Sequence, residues 1–271
     1  MRRIIHLSNI LIISVSSDIG RELSLRFTNN GDSVIGTSRS KVRMPFMVLP
    51  CDINSKDSVD GFINSLKLIP YYRWDTLILC PCNPLPIEPF FKSDFNAWEE
   101  SVNTNAINQL RLLHRLYPLR SSRPNVVFFS GGGVNNAVKD FSAYTISKLM
   151  LIKMCEFLDN EDTNTNFFTV GVGWTKTKTH NLILENTPVN SEKHIETQKF
   201  LEKGTGTSFD NIYKCITWLC KEGKTVSGGR NFSVVNDCWG YGLLRDKLLE
   251  EPDMYKLRRS FNNWKVRDET N

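Results

Sequence analysis

In the segment Tyr144-Thr145-Ile146-Ser147-Lys148 a phenol stands four residues ahead of an ammonium, and Ser130 lies upstream. Residues four apart share one face of an α-helix. A free phenol titrates near pH ~10, so at neutrality it is a sluggish proton carrier. A cation beside it favours the phenolate and lowers that value. Placed next to a carbonyl or a hydroxyl, such a pair does acid–base chemistry. The spacing alone also fits a surface tyrosine above a lysine, so the pair takes its weight from the elements around it.

Those elements alternate. Short apolar runs predict strands at Ile10–Val15, Ser33–Thr37, Met47–Leu49, Thr76–Cys80, Asn125–Phe129, Phe167–Val172 and Asn231–Val235. Longer amphipathic runs predict helices at Ile19–Asn29, Lys56–Leu68, Trp98–Tyr117, Phe141–Asn160 and Phe209–Cys220. Alternating strands and helices make βαβ units, hence a parallel sheet covered on both faces. Right-handed crossovers lead to an α/β, Rossmann-like, doubly wound fold in three layers. No Pro/Gly/Ser-rich linker and no internal repeat interrupts the chain, so residues 1–271 are expected to form one dinucleotide-binding domain. Residues 175–207 are polar and poorly periodic, with a short helix near Ser191–Leu201, and suit a lid over a site. The ligand crevice is expected at the carboxyl ends of the strands.

The first strand runs through Ser14-Val15-Ser16-Ser17-Asp18-Ile19-Gly20 into a helix. A glycine-rich turn here would bring backbone amides to a dinucleotide pyrophosphate. Only Gly20 is kept, where helix and strand must pack closely; Ser14 and Asp18 hold the other two positions. Serines still donate through hydroxyl and amide, whereas Asp18 suits an anion poorly and can instead cap the helix. An ordinary strand–helix connection is the alternative. The second strand ends in Ser38-Arg39. An acid here would accept from both adenosine ribose hydroxyls, and an arginine suits a 2′-phosphate, so NADP(H) is favoured over NAD(H); a solvated loop arginine is the alternative. Asp52 after the third strand is placed to accept from the adenine amino group or to cap the next turn.

Composition excludes several classes. At 40% hydrophobic and 23% charged residues the chain is of globular type. A net charge of +5 is too diffuse for nucleic acid, and the basic stretch Lys256 to Arg259, with Lys265 and Arg267, reads as a solvated tail or helix face. Seven scattered cysteines supply no four-ligand zinc site and fit reduced thiols in a cytoplasm. The thiols of Cys80-Pro81-Cys82 read as packed or idle. The four histidines, His6, His114, His180 and His194, suggest neither a triad nor a metal site; only His180, in the lid, is a candidate for substrate contact. The start, Arg2-Arg3 followed by Ile4 to Val15, faintly mimics a signal peptide, but polar residues break the run and no small-residue cleavage site follows. No apolar run is long enough to span a membrane.

Taken in order, these residues resemble the short-chain dehydrogenase/reductase family over nearly the whole chain. The anchors are Ser16-Ser17-Asp18-Ile19-Gly20, Arg39, Cys51-Asp52-Ile53, Trp98 with Asn105, Ser130, Tyr144 with Lys148, and Gly173 with Thr177. The stretches Ser130-Gly131-Gly132-Gly133 and Ser227-Gly228-Gly229-Arg230 look like members from bacterial surface-polysaccharide gene clusters. The resemblance implies Tyr144 as general acid or base, with Lys148 lowering its pKa and holding the nicotinamide ribose. It implies Ser130 on the substrate oxygen, Asn105 kinking its helix and holding a relay water, and Thr177 on the nicotinamide carboxamide. Cofactor contacts would fall on Ser14, Ser16, Ser17, Ile19, Gly20, Ser38, Arg39, Asp52, Ile53, Lys148 and Thr177.

The departures are equally specific. The family has Thr-Gly at Ile13-Ser14, Gly at Asp18, and Asn-Asn-Ala-Gly at Leu79-Cys80-Pro81-Cys82. Its serine stands thirteen before the tyrosine, which here is Gly131; Ser130 is taken by a one-residue slip. Bland roles remain open: Asn105 as a helix polar group, Ser142 as a cap, Trp98 as a packing anchor. The expected activity is NADP(H)-dependent hydride transfer to or from a small polar carbonyl or alcohol, such as a nucleotide-linked sugar. The alternatives are a non-catalytic nucleotide sensor or scaffold subunit, and a cofactor-retaining sugar epimerase or dehydratase. The expected partners are a small-molecule substrate and further copies in a homodimer or homotetramer, with no nucleic acid, membrane or metal.

Overall fold

Strands buried on both faces need apolar side chains on both, and the runs NILII, SVIGTS and WDTLIL meet that demand. The computed structural model describes residues 8–260; Arg2-Arg3, most of the signal-like start, Lys265 and Arg267 lie outside them. The strands are β1 (Asn9–Ile13), β2 (Ser33–Ser38), β3 (Met47–Pro50), β4 (Trp74–Leu79), β5 (Arg120–Phe129), β6 (Asn166–Gly171) and β7 (Asn231–Ser233). They form one sheet in the order β3-β2-β1-β4-β5-β6-β7. Every neighbouring pair is parallel. The helices are α1 (Asp18–Asn29), α2 (Lys56–Lys67), α3 (Phe95–Val102), α4 (Asn108–Leu116), α5 (Ser142–Glu161), α6 (Lys178–Glu185), α7 (Glu192–Lys203), α8 (Phe209–Glu222), α9 (Lys224–Ser227) and α10 (Gly242–Glu250).

Alternation along the strands sends side chains into two cores. Leu11, Leu77, Val126 and Phe128 pack with Phe62 of α2, Leu112 of α4 and Leu151 of α5. Ile10, Ile12, Val127 and Phe168 pack with Leu23 of α1, Ile216 of α8 and Leu248 of α10. The result is three layers with β1 at the point where strand order reverses. Register fixes the floor of the crevice, because Ile13 pairs with Leu79 and Leu79 with Phe128. The carboxyl ends of β1, β4 and β5 therefore stop at one height.

Two departures from the periodicity matter for the site. The single helix expected over Trp98–Tyr117 is split: α3 ends at Val102, a π-turn covers Asn103–Ile107, and α4 resumes. Such insertions follow when a side chain inserts into the backbone ladder, and Gln109 Nε2 does so by donating to Asn105 O at 2.9 Å. The lid segment is ordered as α6 and α7. Its base is closed by Thr207 N donating to Trp174 O at 2.7 Å, so the excursion spans the residues its composition marked out. Helix α6 escaped the pattern because its eight residues make barely two turns, too few for a periodicity to show; it is started by Thr177 at the N-cap position.

Candidate active site

Tyr144 and Lys148 sit on consecutive turns of α5 and face the carboxyl ends of β4 and β5. Lys148 is 2% exposed, and its Nζ stands 5.5 Å from the centre of the Tyr144 ring. This ammonium makes no hydrogen bond among the described residues. Burial pulls it below the ordinary lysine value, while the nearby Cys82 and Cys80 thiols act in the opposite direction. The Tyr144 phenol is raised, first by burial and then by Cys82, whose thiol lies beside it. The expectation that Lys148 makes this phenol more acidic is therefore corrected: desolvation wins, and the phenol stays protonated at neutrality.

Cys82 is the group that the sequence undervalued. It follows β4 where the resembled family has glycine, which was the available signal. Protein crowds it on several sides, yet its side chain reaches solvent. The loop that carries it is clamped by Asn105: Oδ1 accepts from Asn83 N at 2.7 Å, and Nδ2 donates to Asn83 O at 2.6 Å. The Asn105 backbone oxygen accepts from Gln109 Nε2 at 2.9 Å. Asn105 thus fixes the loop beside Tyr144 and has its side-chain amide engaged there.

Ser130 is buried at the end of β5, and its amide donates to Val170 O at 3.1 Å. Its hydroxyl lies toward β6, where a Cβ added to Gly171 would come within 3.0 Å of Oγ. The space beside the phenol belongs to Gly131. A Cβ there would meet the Tyr144 hydroxyl at 2.4 Å, so the tyrosine packs directly on the glycine backbone. Trp98 Nε1 donates to Ser142 Oγ at 3.0 Å and pins α3 to the start of α5.

The phosphate turn is built differently. Ser14 has φ +71°, a left-handed conformation that favours glycine and costs other residues ~1–2 kcal/mol. Ser17 spends its hydroxyl within the turn: it donates to Ser14 O at 2.8 Å and accepts from Gly20 N at 3.1 Å as the cap of α1. Gly20 is required, since a Cβ there would lie 2.4 Å from Ser14 O. Asp18 reaches across to the lid. Its Oδ2 accepts from Lys178 N at 2.6 Å, and Lys178 Nζ donates to Ser16 O at 3.1 Å. The turn and the first residue of α6 are thereby tied together. No pattern in the sequence marked Lys178.

Around this turn, Ser38 is buried, Arg39 is exposed at the end of β2, and Ile53 is buried. Asp52 caps the following turn, its Oδ1 accepting from Asn54 N at 3.0 Å. Thr177 begins α6 with His180 Nδ1 3.4 Å from its amide nitrogen. His180 packs into the lid, stacked on Trp174 at 5.6 Å and tilted against Phe200 at 4.9 Å. Burial holds its imidazole below the ordinary value. The basic stretch behaves as a solvated face: Arg258 pairs with Glu156 and Asp253. Among the described residues no group of His, Cys, Asp and Glu could hold a metal ion, and no helix is long and apolar enough to cross a membrane.

Next to the Cys82 loop lies a cavity of about 430 Å³, bounded by Asn83, Leu85, Ile87, Glu88, Glu100 and Asn186. It lies between that loop, α3 and the end of α6, and Tyr144 is not part of its lining.

No family model and no curated protein matches the chain. Solved structures do. A short-chain dehydrogenase/reductase from Saccharomyces cerevisiae superposes with a TM-score of 0.76 at 22% identity, covering 88% of this chain and 98% of that one. An aldohexose dehydrogenase from Thermoplasma acidophilum gives 0.73 at 18% identity, over 84% and 92%. A short-chain dehydrogenase from Shigella flexneri, complexed with NADP, gives 0.69 at 17% identity, over 84% and 96%. With its seven parallel strands, reversal at β1 and crevice over β1, β4 and β5, this chain has the fold of the short-chain dehydrogenases and reductases.

Proposed function

We propose that the protein is a short-chain dehydrogenase/reductase-type oxidoreductase that uses NADP(H) and acts on a small polar carbonyl or alcohol. The reading rests on one observation: the Tyr144 hydroxyl and the buried Lys148 amine, which has no hydrogen-bond partner among the described residues, lie together at the strand ends. A nicotinamide cofactor, when bound, supplies the hydride. The residues fit such a group at two ends. Lys148 offers its ammonium to ribose hydroxyls, and Arg39, exposed at the end of β2 and without an ion pair among the described residues, can meet a 2′-phosphate. Between them, Asp18 directs a carboxylate oxygen to the Lys178 amide, while its charge stays at the turn.

The residues then divide the work. Tyr144 Oη donates its proton to the carbonyl oxygen as that oxygen gains charge. Burial keeps the phenol in its protonated form, the form from which a proton donor to a carbonyl starts. Lys148 stabilises the phenolate left behind. Asn105 holds the Asn83 loop, so that the wall of the site stays in place. Asn83, Asn186, Glu88 and Glu100 give the adjoining cavity many hydrogen-bond acceptors. They suit the hydroxyls of a neutral sugar and repel a diphosphate, so the sugar end of any nucleotide-linked substrate would enter here. The aldohexose dehydrogenase and the NADP complex among the similar structures support this reading without deciding it.

Fluorescence titration with NADPH, followed by turnover of a panel of carbonyl sugars, tests the proposal. Saturable NADPH binding and loss of turnover in Tyr144→Phe are expected; normal turnover in that variant would refute the mechanism. The Asp18–Lys178 tie across the phosphate turn favours a second reading, a non-catalytic nucleotide-sensing or scaffold subunit. Calorimetry showing no binding of NADPH, NADP or NAD would select the scaffold.

A further inference from the structure

We propose that α6 is a strap across the crevice and that Asp18 is the catch that holds it shut, so that a dinucleotide enters only after the catch opens. The gate rests on the functional reading above; the catch itself does not. Helix α6 starts with Lys178 on the phosphate turn, and its C-cap residue Asn186 lines the cavity beside the Cys82 loop. Its eight residues span about 12 Å. The helix therefore runs from the turn after β1 to the loop after β4. A cofactor laid from that turn to Lys148 has to share this ground.

Three contacts make the catch. Asp18 Oδ2 accepts from Lys178 N at 2.6 Å, Lys178 Nζ donates to Ser16 O at 3.1 Å, and the same ammonium lies 3.9 Å from Asp18 Oδ1. While they hold, a carboxylate is kept at the start of α1, where helix amides would otherwise meet an anion. Once they break, the Asp18 side chain is free to rotate into solvent, and the strap loses its hold on the turn. The rest of the lid is held by packing. Ile183 of α6 is buried. Lys193 of α7 lies 4.4 Å from the centre of the Trp174 ring and 6.0 Å from that of Phe141, the residue before α5. The catch is the exposed fastening, with the Lys178 side chain 71% and that of Asp18 27% accessible. Ion pairs so exposed are weak, which suits a contact that must open and close. The glycine that the resembled family has at position 18 could make none of the side-chain contacts.

Hydrogen–deuterium exchange of the full-length protein, without added nucleotide, tests the catch. In Asp18→Ala the amides of residues 179–186 should exchange about ten-fold faster than in the wild type, as for loss of a hydrogen bond to a charged group, while those of α8 stay as they were. Unchanged exchange in α6 would overturn the catch. Stopped-flow fluorescence with NADPH tests the gate. Lys178→Pro removes both donors and keeps the Asp18 charge; proline suits the first position of a helix, and Thr177 before it is already extended. NADPH should enter this variant on the order of ten-fold faster, although loss of the cation alone would slow a polyanion. Equal or slower entry would overturn the gate. Should Lys178→Pro not fold, Asp18→Ala should take up NADPH faster than Asp18→Asn, which also loses the charge but keeps an oxygen for the Lys178 amide; equal rates would then overturn the gate. NADPH binding by Lys178→Pro but not by the wild type supports both the gate and the functional reading. If neither binds, the functional reading falls and the gate with it, while the exchange rates still decide the catch.

Discussion

The two ends of the crevice are held in opposite ways. At the Tyr144 end, groups are buried and their supports are fixed: Asn105 grips Asn83 through both its amide atoms, and Trp98 pins α3 to α5. The buried Lys148 ammonium makes no hydrogen bond among the described residues, and neither does the buried Thr145 Oγ1 one turn earlier on α5. At the phosphate end the polar groups satisfy one another. Ser17 serves the turn itself, and Asp18 and Lys178 bind each other's segments. One end offers unspent interactions, whereas the other must release internal ones before an anion can use them. Departures from a glycine-rich turn therefore alter binding affinity before they alter chemistry.

The largest effect expected from breaking this contrast is chemical. Tyr144→Phe should lower turnover by ~10²–10⁴-fold, the range for loss of a positioned proton donor, while NADPH titration reads unchanged affinity. The sign of the pH dependence follows from the raised phenol. The donor form persists below the folded-state value and is lost only as pH rises through it. Tyr144 should therefore cause no decline in reductive turnover up to the ordinary phenol value of about 10. An earlier fall that persists in Lys148→Arg, which removes titration of the lowered amine, would show that another group donates.

Gly131→Ser probes the packing of the same end. The added Cβ would meet the phenol at 2.4 Å, so overpacking should cost ~1–3 kcal/mol in urea denaturation. An unchanged midpoint would mean that the Tyr144 ring moves aside freely.

At the other end, Asp18→Gly should tighten NADPH binding several-fold, since unit charges 4 Å apart in water interact by about 1 kcal/mol. Weaker binding would show that the Lys178 tie helps to form the site. Ser14→Gly is the smallest change expected. It relieves a left-handed serine and should raise stability by up to about 1 kcal/mol, measured as a shift in the denaturation midpoint.

Much of this contrast was legible in the sequence. Runs such as NILII and WDTLIL are apolar enough to be buried on both faces of a sheet, so the parallel sheet and the crevice at its carboxyl ends followed from alternation. The Tyr144/Lys148 spacing gave the shared face. Its electrostatics did not follow, because periodicity says which face two residues share but not how deeply the fold buries them; burial reverses the expected shift. The one-residue slip assigned to Ser130 had no local signal either. Only in three dimensions does Gly131 lie against the phenol while Ser130 Oγ lies toward Gly171. The Asp18–Lys178 tie spans 160 residues and leaves no periodic trace. Cys82 was visible as a departure, yet its neighbours come from α5, which composition cannot bring to it.

The central claim is that the unpartnered Lys148 ammonium waits for the ribose of a nicotinamide cofactor. The direct test is an NADPH titration of the wild type and Lys148→Met by cofactor fluorescence, with circular dichroism confirming the fold. Saturable binding that weakens by roughly ten-fold or more in the variant is predicted, as for loss of hydrogen bonds from a charged donor. Equal affinity in the two proteins, or no binding by either, would contradict it.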